Sequence, residues 1–146
     1  LKANGLSLLL ALSAGMLGVV QGIINAYIGK FLGQYGMIIG VSAVQILVAS
    51  LVVWRVKSAP LELSMIPWII VAGMLGVGIM FGVSYATGAV GALPVFVLII
   101  AGQIIASAII DHFGFMGLPR NSFNLSKLGS ILIIAAGVWC LMKSSN

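Results

Sequence analysis

Five long apolar runs follow one another with almost no charge inside them, and that pattern decides what the chain can fold into. They cover about Leu6 to Ile28, Gly36 to Val53, Ile66 to Ala86, Ala92 to Ile110 and Ser126 to Met142. Each is near the roughly 20 residues a helix needs to cross the hydrocarbon core of a bilayer. Strands of a membrane barrel would be about half as long and would alternate in polarity. The chain is 62% hydrophobic and 6% charged, where a soluble domain carries roughly a quarter charged residues. There is too little polar surface to cover a soluble globule. The fold class expected is an all-α integral membrane protein, a single domain over 1–146 with transmembrane helices at about 6–28, 36–53, 66–86, 92–110 and 126–142. The bilayer is its solvent, and the fifth helix is the shortest.

The polar punctuation fits this division. Lys30 and Gln34 mark a first loop, and Arg55, Lys57, Pro60 and Glu62 a second. Thr87 to Gly91 is a tight third loop, and Asp111 to about Leu125 a longer fourth. Pro67 and Pro94 fall in first turns, where a missing N–H costs little, and Ser64 and Asn124 are candidate N-caps. Lys127 and Lys143 can reach outward from the short fifth helix. Five spans place the termini on opposite sides. One side then carries Lys2, Arg55, Lys57, Arg120 and Lys127, the other Lys30 and Lys143. The excess of cations favours a cytoplasmic amino terminus. An odd number of spans also means that two tandem copies, or two dimerised chains, would be inverted relative to each other, which is the geometry of inverted-repeat transporters. The chain is therefore expected to be one half of a ten-helix architecture.

Several function classes are disfavoured. Net charge is +5, but the seven Lys and Arg are scattered. A nucleic-acid surface needs them clustered. The single cysteine, Cys140, lies in an apolar run; it reads as buried filler, since it can form no intrachain disulfide and a metal site needs more ligands. No metal, cofactor or catalytic residue is expected. An intramembrane enzyme would have to use Asp111, His112 and the distant Cys140. The opening run is too long for a secretory signal, so it is expected to be retained.

Small and polar residues inside the runs carry the remaining information. Ala14, Gly18, Gly22 and Ala26 recur every four positions, as do Gly78, Gly82 and Ala86. Such stripes let helix backbones approach closely, so Gly18, Gly22, Gly78 and Gly82 are assigned to helix packing. Polar groups in lipid are costly and tend to face a partner or a wet cavity. Gln21 and Asn25 lie one turn apart, Ser42 and Gln45 share the second helix, and Gln103, Ser107 and Asp111 are spaced by four. Gln21, Asn25, Ser42, Gln45, Gln103 and Ser107 are the candidates for a solute pathway, with interhelical hydrogen bonding as the plainer alternative. Asp111 and His112 are read either as a cap for the following loop or as a proton relay. Trp68 and Tyr85 read better as interfacial anchors than as solute contacts. No Asp, Glu, Lys or Arg sits mid-span, which leaves no buried carboxylate for proton exchange. The segments Gln21 to Phe31 and Gln103 to Phe113 also echo each other, each with a Gln, a small polar residue one turn on, and a Phe past the helix end.

The stretch Ala14-Gly15 through Gln21-Gly22-Ile23-Ile24-Asn25, then Leu32-Gly33 and Val41-Ser42, resembles the first helices of the YdcZ-like family. Ile100-Ala101-Gly102-Gln103, Ala106-Ser107, Asp111-His112-Phe113-Gly114 and Gly117 resemble it more strongly, and Gly129 and Ala136-Gly137 also fit. The likeness spans essentially the whole chain. It implies a five-helix unit of the drug/metabolite transporter superfamily in the cytoplasmic (inner) membrane of a bacterium. It also implies assembly as an antiparallel homodimer, as a heterodimer of paralogues, or as a fused ten-helix protein. It supplies no substrate. The related small multidrug exporters use a glutamate in the first helix; Gln21 and Asn25 stand there in this chain, so that proton-antiport mechanism does not carry over. The expected function is a secondary transporter or facilitator, in the export direction, of a small polar metabolite. The partners are the bilayer, the solute and a second five-helix chain. The alternative is a non-transporting scaffold subunit of a larger complex.

Overall fold

The computed structural model describes residues 4–56, 62–115, 120 and 124–144, apart from the side chain of Lys127. Lys2, Lys57, Pro60, Gly117 and the outward reach of Lys127, all used above, lie outside the described residues. The described chain is helical throughout: α1 (Gly5–Arg55), a 3-10 turn (Leu63–Met65), α2 (Ile66–Val90), α3 (Ala92–Phe113) and α4 (Leu125–Ser144). It divides into two compact units, Leu1–Val90 and Gly91–Asn146. By length and composition α1, the 28-residue segment Leu63–Val90 and α3 can each cross a membrane, while the apolar part of α4, Leu128–Ser144, is shorter.

In the first unit, the expected loop at Lys30–Gln34 is reduced to one residue. A straight helix of 51 residues would be about 77 Å long, against a hydrocarbon core of about 30 Å. Only Gly33 leaves the helical conformation, at φ 71° and ψ 165°. That region is essentially closed to residues with a Cβ. Gly33 therefore separates two helical limbs, 5–32 and 34–55, without a loop between them. The third expected loop contracts in the same way: α2 runs through Thr87 to Val90, and Gly91 alone stands outside helix, at φ 89° and ψ 166°. Pro67 and Pro94 do lie in first turns. Ser64 is not an N-cap. It sits inside the 3-10 turn, which begins after Glu62, and its hydroxyl donates to Glu62 Oε2 at 3.4 Å.

α2 packs against α1. The buried residues of the first limb are Gly22, Asn25, Ala26 and Gly29, spaced by three and four along one stripe. Beyond the break Met37 and Ile38 are buried, as is Ser84 of α2. Burial against a neighbouring helix instead of lipid gains close van der Waals contact more than a hydrophobic effect, and Gly and Ala favour such contact. Around the break the aromatic rings run together: Tyr35 meets Phe81 at 6.0 Å, and Phe81 stacks on Tyr85 at 6.0 Å and 3°. Large apolar side chains such as Leu10, Leu17, Ile46 and Leu75 remain exposed, as lipid-facing residues should.

In the second unit, α3 packs against α4. α3 ends later than expected, at Phe113, and is closed by Gly114 in the left-handed conformation (φ 66°, ψ 42°), whose N–H donates to Ile110 O. Glycine is the residue of choice at that cap. Asp111 and His112 are thereby drawn into the last turn of the helix. α4 presents Ile131, Ile134, Val138 and Leu141 as a half-buried stripe, and Cys140 lies off it, exposed. The expectation of a buried cysteine is corrected: a helix packed along one stripe leaves its other sides to lipid or to another chain. Asn124 does stand at the start of α4, where its carbonyl accepts the N–H of Leu128 at 3.1 Å.

Candidate functional site

Four polar residues of the second unit line one groove. Ser107 and Asp111 of α3 meet Ser126 and Ser130 of α4 in a cleft of about 260 Å3, walled by Ile104, Ala108, Ile131 and Ile134. The spacing of four between Ser107 and Asp111, and again between Ser126 and Ser130, puts each pair on one helical face. Ser107 Oγ donates to Gln103 O at 2.7 Å and approaches Ile104 O at 3.1 Å, and Ser130 Oγ donates to Ser126 O at 3.1 Å. Gln103, expected on the same stripe, contributes its carbonyl in this way; its side chain is exposed outside the groove.

Asp111 and His112 are neighbours in sequence but not in site. His112 lines a separate, almost wholly apolar groove of about 510 Å3 with Ile105, Ile109, Phe113 and Leu128. The two grooves have Ala108 and Ile131 in common, with Asp111 lining one and His112 the other. At the end of α3 the His112 carbonyl accepts a hydrogen bond from Arg120 Nε at 3.1 Å.

The candidates of the first unit are spread along α1. Asn25 is buried, at 5% exposure, while Gln21 one turn earlier is exposed. Ser42 is half-buried and Gln45 exposed. Among the packing glycines Gly22 is buried, whereas an added Cβ at Gly18, Gly78 or Gly82 would meet nothing within 4 Å in this chain.

Two sets of polar groups escape the sequence reading. Ser126 and Ser130 are one; their spacing of four in the fifth run was the available signal. The other is Gln34 Oε1, Ser84 Oγ and Thr87 Oγ1, buried atoms without a hydrogen-bond partner. Gln34 folds back so closely that a Cβ on Gly29 would lie 3.0 Å from its Nε2. Gln34 reads from sequence as loop, and only the one-residue break at Gly33 brings it inside. Among the described residues no group of three or more His, Cys, Asp or Glu is placed to hold a metal ion.

No curated protein and no solved structure matches the chain. The family model described as "Putative inner membrane exporter, YdcZ" matches residues 6–140, nearly the whole length and both units. With three helices long and apolar enough to span among the described residues, the chain is an inner-membrane protein, and it belongs to the YdcZ family of the drug/metabolite transporters.

Proposed function

We propose that the chain is a secondary transporter or facilitator that exports a small polar metabolite. In this reading both limbs of α1, and α2, α3 and α4, each cross the membrane, making five spans. Two such five-helix units, of this chain or of this chain and a paralogue, lie antiparallel and alternate access by rocking against each other. The observation that carries the reading is the groove of Ser107, Asp111, Ser126 and Ser130, cut between two largely apolar helices. An ionisable residue on a membrane helix is costly and tends to face a partner or a wet cavity, which makes a polar groove around Asp111 a candidate solute path. The exporter family supports the same direction. Gln21, Asn25, Ser42, Gln45 and Gln103 are assigned to the path by the same cost argument. The helix-surface glycines Gly18, Gly78 and Gly82, open within one chain, are assigned to the seam with the second unit.

Two measurements test this. Proteoliposomes loaded with labelled amino acids, polyols and amines are assayed for efflux; release of none of them above protein-free vesicles sinks the transport reading and favours a scaffold subunit. Single cysteines at Glu62 and Gly88 in a Cys140→Ala background are labelled from outside intact cells. Five spans in one orientation expose one of the two, and dual insertion exposes both in comparable fractions. Labelling of neither refutes the span count.

A further inference from the structure

The hydrogen bonding inside the α3–α4 groove narrows the solute. A serine hydroxyl has one proton to donate and two lone pairs to accept with. Ser107 spends its proton on the carbonyls of Gln103 and Ile104, and Ser130 spends its own on Ser126 O. Both oxygens therefore offer the groove lone pairs only. Asp111 adds a carboxylate, which accepts and does not donate. Ser126 keeps a rotatable hydroxyl that can turn its lone pairs inward. The polar lining is thus almost entirely acceptor.

The position of Asp111 points the same way. It lies in the last turn of α3, where the helix dipole is negative and a cation, not an anion, stabilises the fold. Among the described residues no cation pairs with it; the nearby Arg120 is engaged by the carbonyl of His112 instead. Among the described residues nothing offsets this carboxylate, and its negative field is reinforced by the helix end. The groove's remaining wall is apolar, from Ile104, Ile131 and Ile134, and its volume of about 260 Å3 far exceeds that of a bare metal ion.

We infer that the groove binds a protonated amine with an apolar body: the ammonium N–H groups donate to Asp111, Ser107 and Ser130, and the carbon chain lies against Ile104, Ile131 and Ile134. This rests on the transport reading for its purpose and names the substrate class of that same site. A primary or secondary ammonium satisfies the acceptors; a quaternary one has no N–H to give them, and a carboxylate would meet Asp111 head on.

The test is calorimetric titration of the purified full chain in nanodiscs with n-butylammonium, n-butanol, tetraethylammonium and sodium chloride. Butylammonium is expected to bind saturably. Asp111→Asn weakens it about tenfold or more, the loss of one charge-assisted contact. Asp111→Glu holds within a few-fold, and Ser107→Ala/Ser130→Ala weakens it a few-fold. Butanol and tetraethylammonium bind much less, and sodium does not compete at equal concentration. The inference is overturned by absence of saturable butylammonium binding, by equal binding of butanol, by competition from sodium, or by wild-type affinity in an Asp111→Asn chain with unchanged helicity. Efflux of a polyol from proteoliposomes without any amine binding removes the inference and leaves the transport reading standing. Saturable amine binding without efflux of any solute does the reverse.

Discussion

Gly33 is the residue on which the first unit turns, and replacing it with alanine tests that directly. At φ 71° and ψ 165° an alanine Cβ has no relaxed option, and a residue held in such a region costs about 1–3 kcal/mol. The surroundings add nothing to this, because an added Cβ at Gly33 would meet no atom within 4 Å. The penalty is purely one of backbone conformation, so it should not depend on which L-residue replaces glycine. Gly40 in the same helix is the control: it too has open space around it but normal helical geometry, so alanine there gains roughly 1 kcal/mol of helix propensity. The assay is unfolding of the purified chain by increasing dodecyl sulfate, followed by the fluorescence of Trp54, Trp68 and Trp139. Gly33→Ala should raise the unfolding equilibrium constant by about 5- to 150-fold, the equivalent of those 1–3 kcal/mol, and Gly33→Ser by a similar amount, while Gly40→Ala is neutral or better. Equal stability of Gly33→Ala and wild type would refute the one-residue break. A loss at Gly40→Ala as large as that at Gly33→Ala would show that both positions are governed by packing and not by backbone angle.

Other perturbations follow from single contacts. Gly29→Ala pushes its Cβ to 3.0 Å from Gln34 Nε2; the amide is the end of a flexible side chain, so the cost should be modest, and in Gly29→Ala/Gln34→Ala it should largely vanish, with a coupling of about 0.5–1 kcal/mol in the same unfolding assay. Ser84→Ala removes a fully buried hydroxyl that has no partner, and stability should hold or rise by up to about 1 kcal/mol; a clear loss would mean that the hydroxyl is bonded in the membrane. Trp54→Ala removes the ring 5.3 Å from the Arg55 guanidinium and should cost about 0.5–1 kcal/mol at this exposed site, read from the unfolding midpoint using the remaining tryptophans. Gly78→Leu/Gly82→Leu fills a stripe that is open within one chain; chemical cross-linking should show a smaller dimer fraction with unchanged helicity by circular dichroism, and an unchanged dimer fraction would move the seam elsewhere.

What the sequence made legible was whatever depends on the solvent. Apolar runs near the thickness of a bilayer, almost free of charge, admit helices and little else, and helices lie over all five runs. The resemblance carried by Gln103 through Gly114 led to the same family that residues 6–140 match. Ser107 and Asp111, conspicuous in apolar surroundings, line one groove. The breaks between helices were harder to place. A loop is expected where polar residues gather, so Lys30–Gln34 and Thr87–Gly91 looked like loops, yet one glycine at a positive φ is enough to end one helix and begin another. Nothing in composition distinguishes Gly33 or Gly91 from a glycine such as Gly40 that stays helical. The same contraction hid Gln34, which polarity places in a loop and the break tucks against Gly29.

The groove shows a further limit and why it exists. Spacing puts Ser107 and Asp111 on one face, but it cannot say which way a hydroxyl proton points. Once Ser107 and Ser130 donate to their own helices, a surface that reads from sequence only as polar becomes one that mostly accepts. Serine-to-backbone bonding is a local habit of helices, at Ser13 as well as at Ser107 and Ser130, and it is common in apolar surroundings because no water competes for the proton. An acceptor-only polar seam is therefore the default product of serines on membrane helices. The single carboxylate of Asp111, placed where the helix end opposes it, is what turns that default into selection for a cation.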